Sequence, residues 1–146
     1  MADGDNLHLR LELVAPRGPV FEGDVDMVVV PAVTGELGIL PRHAPLVAQL
    51  AIGQMRALTA EGRWLTFAVA EGFVKVQFNK VIVLADTAEE ASAIDVARAE
   101  KSVARAQQRL DMLRLGTVPE DDIVDPYREQ LALKRARNRL KVAQIA

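Results

Sequence analysis

Cysteine is absent from the 146-residue sequence. Disulfides, thiolate nucleophiles and zinc–thiolate sites are thereby excluded. Only two histidines occur, His8 and His43, which excludes a multi-histidine metal centre. Aromatic residues make up 4% of the chain, too few for the stacking platforms of a single-strand nucleic-acid binder. No apolar run approaches the roughly 18 residues that a membrane-spanning helix needs. The first residues, Met1-Ala2-Asp3-Gly4-Asp5, are acidic and lack the apolar core of a signal peptide. These features predict a soluble protein that stays in the cytoplasm and meets a membrane only through partners.

What is present is ordinary in bulk and uneven in distribution. Half of the residues are hydrophobic and 26% are charged, as in a globular protein. The net charge of −2 conceals an asymmetry. Residues 1–91 carry 12 acids and 7 bases, and residues 92–126 carry 7 acids and 5 bases. Residues 127–146 carry one acid, Glu129, and 6 bases, a net of +5. A basic final segment on an acidic body points to an electrostatic partner for that segment.

The hydrophobic period changes once along the chain. Leu7, Leu9, Leu11 and Leu13 alternate with His8, Arg10 and Glu12, which places four leucines on one face of a strand. Pro16-Arg17-Gly18-Pro19 breaks that run. A valine-rich run covers 25–30, and Gly35, Gly38, Pro41 and Pro45 punctuate the next stretch. Short strand-like runs follow at 47–52, 55–59, 64–69, 73–78 and 81–84, separated by Gly53, Ala60-Glu61-Gly62, Glu71-Gly72 and Asn79-Lys80. Many short strands with turn residues between them predict an antiparallel sandwich or barrel.

After Ala91 the period is helical. Val96, Ala99, Val103, Ala106, Leu110 and Leu113 form a coiled-coil-like seam. Ser92 and Asp95 form a capping-box-like start, with aspartate in the glutamate position. Arg114 falls in the last turn and Gly116 follows as the stop. After the acidic loop 117–124, Asp125-Pro126 supplies an N-cap and a proline at the first helical position. Leu133, Ala136, Leu140 and Ala143 form the second seam. Two such helices pack antiparallel most simply. Alanine in the seams brings the helices close and buries little apolar area. That composition describes a stable hairpin of small residues as well as one weak enough to open. The expected architecture is α+β: an antiparallel β-sandwich domain over 1–91 and an antiparallel α-helical hairpin domain over 92–146.

No catalytic constellation is visible. No serine, cysteine or second histidine stands near His43 in sequence, so a hydrogen-bonded structural histidine is its default reading. Asp24 with Asp26, and Asp121 with Asp122, lie in polar stretches where solvated surface is the default. Asp95 and Arg98 are three residues apart on one helix face, which by default is an intrahelical ion pair.

The segment Gly35-Glu36-Leu37-Gly38-Ile39-Leu40-Pro41-Arg42-His43-Ala44-Pro45-Leu46 resembles the signature loop of the ATP synthase epsilon chain family. Glu71-Gly72-Phe73-Val74-Lys75-Val76, Val83-Leu84-Ala85-Asp86 and Ile94-Asp95-Val96-Ala97-Arg98-Ala99 resemble later segments of that family, in order. Arg42 stands where glycine is frequent in relatives, a substitution able to alter the local turn.

The resemblance implies a non-catalytic central-stalk subunit of a proton-driven rotary F-type ATP synthase. It implies that the sandwich binds the gamma subunit and sits on the ring of c subunits, with Glu36 and His43 as contact residues. It implies peripheral attachment on the cytoplasmic side of the cell membrane. The hairpin is regulatory in relatives: folded against the sandwich, or extended toward the alpha and beta subunits, where it inhibits ATP hydrolysis. Lys134, Arg135, Arg137 and Arg139, with Lys141, would then meet an acidic segment of the beta subunits. By default they are a solvated face balancing the acidic body. Some relatives bind ATP between sandwich and folded hairpin. The corresponding residues here are Glu89, Asp95, Arg98, Arg105, Arg135 and Arg139. Arginines suit phosphates through bidentate bonding, and the two acids suit an adenine amino group. With no P-loop, such a site senses rather than hydrolyses, and the chain requires no cofactor. The rival readings are a sandwich–hairpin adaptor and a nucleic-acid-binding module built on the basic final helix. The acidic body and scarce aromatics argue against the second.

Overall fold

The computed structural model describes residues 7–146. The acidic start Met1–Asp5 lies outside the described residues. Seven strands come first: β1 (Leu9–Ala15), β2 (Gly18–Ala32), β3 (Gly35–Ile39), β4 (Leu46–Leu50), β5 (Gly53–Thr59), β6 (Trp64–Gln77) and β7 (Lys80–Glu90). A single 3-10 turn (Ala91–Ala93) leads to α1 (Val96–Leu115) and α2 (Pro126–Ala143).

The sheet closes on itself. β1 pairs with β7 in parallel and with β2 antiparallel, while β5 bridges β2 and β6. The long strands β2, β6 and β7 each serve two layers. The first layer holds β1, β4, the start of β2, the end of β6 and the start of β7. The second holds β3, β5, the end of β2, the start of β6 and the end of β7. Between them lies one core that includes Leu9, Leu11, Leu13, Val28, Val30, Met55, Phe67 and Val74. The leucine alternation of β1 thus fills the interior, although Leu7 precedes the strand and is half-buried.

Three local readings change. Glu71-Gly72 is not a separator, because β6 runs through it as one strand. Glu71 has φ 60 and Gly72 φ 115, a kink at which β6 passes between layers. A Cβ on Gly72 would lie 1.9 Å from the Leu84 carbonyl oxygen, so only glycine lets β6 and β7 stay paired there. The signature segment is not wholly loop: its first five residues are β3, paired to β2. Ser92 does not cap α1. It sits in the 3-10 turn, Ile94 is extended and buried, and Asp95 is the N-cap.

The predicted helix ends are observed. Gly116 stops α1 in the left-handed conformation at φ 70. Asp125 caps α2 by accepting from the Tyr127 backbone N–H, with Pro126 in the first turn. The hairpin is antiparallel, since Gln107 meets Arg137 and Arg109 meets Glu129. Its seam buries Ala99 and Ala106 of α1 and Leu133 and Ala136 of α2. α2 lies on β5, β6 and the 3-10 turn, whereas α1 packs chiefly on α2. The hairpin is therefore folded against the second layer.

Candidate functional site

Little apolar surface docks the hairpin. Val142 is fully buried with Ala68, Ala91 and Ile94, and Ala143 packs beside them. Polar ties supplement this patch along the same face of α2. Asn138 Nδ2 donates to the Gly53 carbonyl oxygen at 2.8 Å. Arg135 Nη1 lies 3.3 Å from Glu71 Oε1, on the kink of β6. Arg139 holds Glu89 with two contacts, Nε to Oε1 at 2.9 Å and Nη2 to Oε2 at 3.2 Å. Positions 135, 138, 139 and 142 share one helix face by spacing.

Two adjoining clefts open beside these ties. The larger, of about 660 Å3, is lined by the turn Pro16-Arg17-Gly18-Pro19, by Asp86 to Glu89 of β7, and by Asp95, Arg98 and Arg139. Its volume falls in the range of small-molecule sites, about 300–1,000 Å3. The smaller, of about 200 Å3, includes Arg105, Ser102, Glu129, Arg135 and Arg139. Thr87, Glu89 and Arg139 border both. The six residues are therefore divided between the two clefts: Asp95 and Arg98 line the larger, Arg105 and Arg135 the smaller, and Glu89 and Arg139 both.

The default reading of Asp95 does not hold. Its carboxylate accepts from the Arg98 backbone N–H at 3.0 Å as the cap of α1. The Arg98 guanidinium is left facing the cleft. Helix geometry explains this, because an N-cap side chain reaches the orphan amide three residues on.

The residues read as partner contacts fall in separate places. Glu36 and His43 lie outside both clefts. Glu36 Oε2 is 3.6 Å from Arg56 Nη2, and that guanidinium lies over the Trp64 ring at 5.6 Å. His43 Nδ1 is 2.7 Å from the Ala44 carbonyl oxygen. Arg42 takes the left-handed conformation at φ 67, and its N–H donates to Asn79 Oδ1 at 2.6 Å. The turn thus keeps a glycine-like geometry with arginine in it. Lys134 and Arg137 are exposed, whereas Arg135 and Arg139 are engaged by carboxylates of the sandwich.

Three of the four acids read as solvated pairs have a basic neighbour. Asp24 meets Arg10 at 3.4 Å, Asp26 meets His8 at 2.5 Å, and Asp122 meets Arg109 at 3.7 Å. The Glu22 carboxylate, bonded to Arg10 at 2.9 Å, raises that guanidinium above the ordinary arginine value; desolvation opposes it and Asp24 adds to it. Among the described residues no group of three or more His, Cys, Asp or Glu side chains could hold a metal ion. No helix among them is long and apolar enough to cross a membrane.

The outer face of the first layer carries an apolar row. Phe73 and Leu84 are direct cross-strand partners, 55% and 54% exposed, and Val47 of neighbouring β4 is 67% exposed. Strand alternation predicts some outward apolar residues, but only the register aligns these. Sequence reasoning also missed Arg17, Glu71 and Asn138. Arg17 read as part of a chain break and Glu71 as part of a separator. Asn138 carried a usable signal, its spacing from Arg135 and Val142.

Comparison with known proteins accounts for the fold. The family model "ATP synthase, Delta/Epsilon chain, beta-sandwich domain" matches residues 8–91, and "ATP synthase, Delta/Epsilon chain, long alpha-helix domain" matches residues 92–144. The ATP synthase epsilon chain of Desulforamulus reducens is 43% identical over 135 residues, 92% of this chain and 96% of that one. That of Pelotomaculum thermopropionicum is 52% identical over 101 residues, 69% of this chain and 75% of that one. Among solved structures, a chain of the Euglena gracilis mitochondrial ATP synthase OSCP/F1/c-ring assembly superposes with a TM-score of 0.74 at 19% identity, covering 97% of this chain and 84% of that one. At that identity the likeness speaks for the fold. With both family models and the near-full-length relatives in agreement, the chain belongs to the ATP synthase delta/epsilon chain family.

Proposed function

We propose that this chain is the non-catalytic central-stalk subunit of a proton-translocating F-type ATP synthase, turning with the rotor and regulating ATP hydrolysis. The exposed row Val47, Phe73 and Leu84 carries the rotor reading. It lies on the layer that the hairpin leaves uncovered and offers an apolar dock for the gamma subunit. Glu36 and His43, on and after β3, are the contacts offered to the c ring. Attachment to the cytoplasmic side of the membrane comes through these partners, with no insertion of its own. The test is co-elution of the purified chain with gamma in gel filtration. Phe73→Asp should abolish co-elution while leaving the sandwich folded. Failure of the wild-type chain to co-elute at any salt concentration counts against the rotor assignment.

The regulatory reading rests on the double engagement of α2. Arg135 and Arg139 are held by Glu71 and Glu89 when the hairpin is folded. The same arginines, with Lys134 and Arg137, are those offered to an acidic segment of the beta subunits when it extends. One set of cations cannot serve both, so the two states exclude each other. Deleting residues 92–146 should raise ATP hydrolysis by the assembled complex; unchanged hydrolysis removes the inhibitory role.

ATP is the ligand proposed for the cleft, as a regulatory effector rather than a substrate. Five arginines, Arg17, Arg98, Arg105, Arg135 and Arg139, border the two clefts, the larger of which is of nucleotide size. Glu89 and Asp95 stand among them, each already carrying a hydrogen bond. Calorimetry should show ATP binding that weakens in Arg98→Ala and Arg135→Ala. No heat at millimolar ATP sinks this reading.

A further inference from the structure

The outer face of the second layer sets a charged pair against an aromatic ring. Leu37, Met55, Ala57 and Leu65 face the core, so strand alternation turns their neighbours Glu36, Arg56 and Trp64 outward. The register brings the three together. Val29 of β2 pairs with Gly38 of β3 on one side and with Arg56 of β5 on the other, and Leu58 of β5 pairs with Trp64 of β6. The ties of α2 fall elsewhere on this layer, at Gly53 and Ala68. The hairpin therefore leaves the cluster open.

The two neighbours of Arg56 hold it unequally. Its guanidinium lies over the Trp64 ring at 5.6 Å, within the range of a cation–π contact. Its contact with Glu36 is a single one of 3.6 Å, beyond hydrogen-bond length. Arg56 Nε is buried with no hydrogen-bond partner among the described residues, and the Glu36 side chain is 62% exposed. The ring thus fixes where the guanidinium sits, while its charge is only loosely committed. Tryptophan and arginine are also the side chains in which interface hot spots are richest, and Trp64 is 48% exposed.

We propose that Arg56, held on Trp64, is a specificity-determining contact of the face to which Glu36 belongs, and that docking exchanges the internal pair for two external ones. A cation of the partner takes Glu36, and a carboxylate of the partner takes Arg56. The occupant is a polar protein loop that presents a base and an acid side by side. The inference rests on the c-ring reading of Glu36 in the preceding subsection and names the chemistry required of the ring's loops. Charge order supplies the specificity, because a loop in the reverse order would set like charges against each other. Trp64 shields the new pairs from water, which strengthens them relative to the exposed internal pair.

The test captures the full-length chain, in complex with gamma, on the purified c ring in detergent. The chain is wild type, Arg56→Gln, Arg56→Lys, or the exchanged double variant Glu36→Arg with Arg56→Glu. The wild type should bind the ring and should not bind protein-free vesicles of phosphatidylglycerol. Arg56→Gln should lose about tenfold in affinity, the effect of one charge-assisted contact, and Arg56→Lys should recover part of it. The exchanged variant keeps both charges and reverses their order, so it should lose about a hundredfold. All variants should melt within about 3 °C of the wild type, as surface substitutions do. If the exchanged variant binds like the wild type, the pair serves only the chain's own structure, and the inference is overturned while the c-ring reading stands. Wild-type affinity in Arg56→Gln overturns it in the same way, and so does a loss that comes with a fallen midpoint in every variant. Binding to the vesicles in place of the ring makes the occupant a lipid surface and overturns both readings. If the wild-type complex is not captured at all, both fall.

Discussion

Replacing Val142 by aspartate tests the docking of the hairpin at its most enclosed point. Val142 is 0% exposed, among Ala68, Ala91 and Ile94. Losing a buried valine removes about 1.5–3 kcal/mol of apolar burial. Keeping the new carboxylate buried and unpaired would cost several kcal/mol more. Against this stand the remaining small apolar contacts, one hydrogen bond of about 1 kcal/mol from Asn138, and two partly exposed ion pairs of about 0–1 kcal/mol each. The penalty is the larger quantity, so the hairpin should leave the sheet rather than bury the charge. A shift of about 3 kcal/mol changes the open population about a hundredfold. The assay is limited trypsin digestion, for which α2 presents Lys134, Arg135, Arg137, Arg139 and Lys141. Cleavage that follows the open population should accelerate about a hundredfold in α2, with the β circular dichroism of the sandwich retained. Val142→Ala should accelerate it less, by about tenfold. A cleavage rate within twofold of wild type would refute this reasoning, and so would loss of the sandwich together with the hairpin. Because the chain has no cysteine, single labels can be added to follow the same opening without background.

Gly72→Ala should destabilise the sandwich by several kcal/mol, since its Cβ would meet the Leu84 carbonyl and its φ of 115 suits glycine alone; a thermal midpoint within about 3 °C of wild type would contradict the account of the kink. Phe78→Gly should act oppositely. Phe78 is 86% exposed at φ 50 in the turn between β6 and β7, so glycine removes about 1 kcal/mol of strain and should raise the midpoint by a few degrees; a lower midpoint means the phenyl ring stabilises the turn. Arg109→Ala strips the mostly buried Glu129 of its partner at 2.9 Å and should weaken the hairpin by about 1–2 kcal/mol. The helical signal should then melt earlier, and an unchanged helical melt would show that the clasp contributes nothing.

Features written in neighbouring residues were legible before the structure. The leucines of β1, Gly116 at the end of α1 and Asp125-Pro126 at the start of α2 act through their own turns or faces, and each stands where its period placed it. Arg135 and Arg139 were likewise placed on one face of α2 by spacing. Ser92 misled because the buried Ile94 holds the chain extended, a tertiary demand that overrides a local capping pattern. Glu71-Gly72 misled because a kinked strand and a break look alike until pairing with β7 is known. The cleft itself has contributors some hundred residues apart, Arg17 with Arg98 and Arg139, and no local pattern announces their meeting. The signature segment pointed to the family through its residue order. Its division into a strand and a left-handed turn at Arg42 comes from pairing with β2 and from Asn79.

The placing of the docking contacts has a mechanical side. α1 is 20 residues long, so the hairpin's tip stands about 30 Å from the point where the chain leaves the sandwich. The contacts from Arg135 to Ala143 occupy only the opposite end, about 13 Å of helix. A pull at the tip therefore acts through an arm at least twice as long as the one resisting it. Leverage makes the folded state easy to prise open from its far end and hard to disturb near its root.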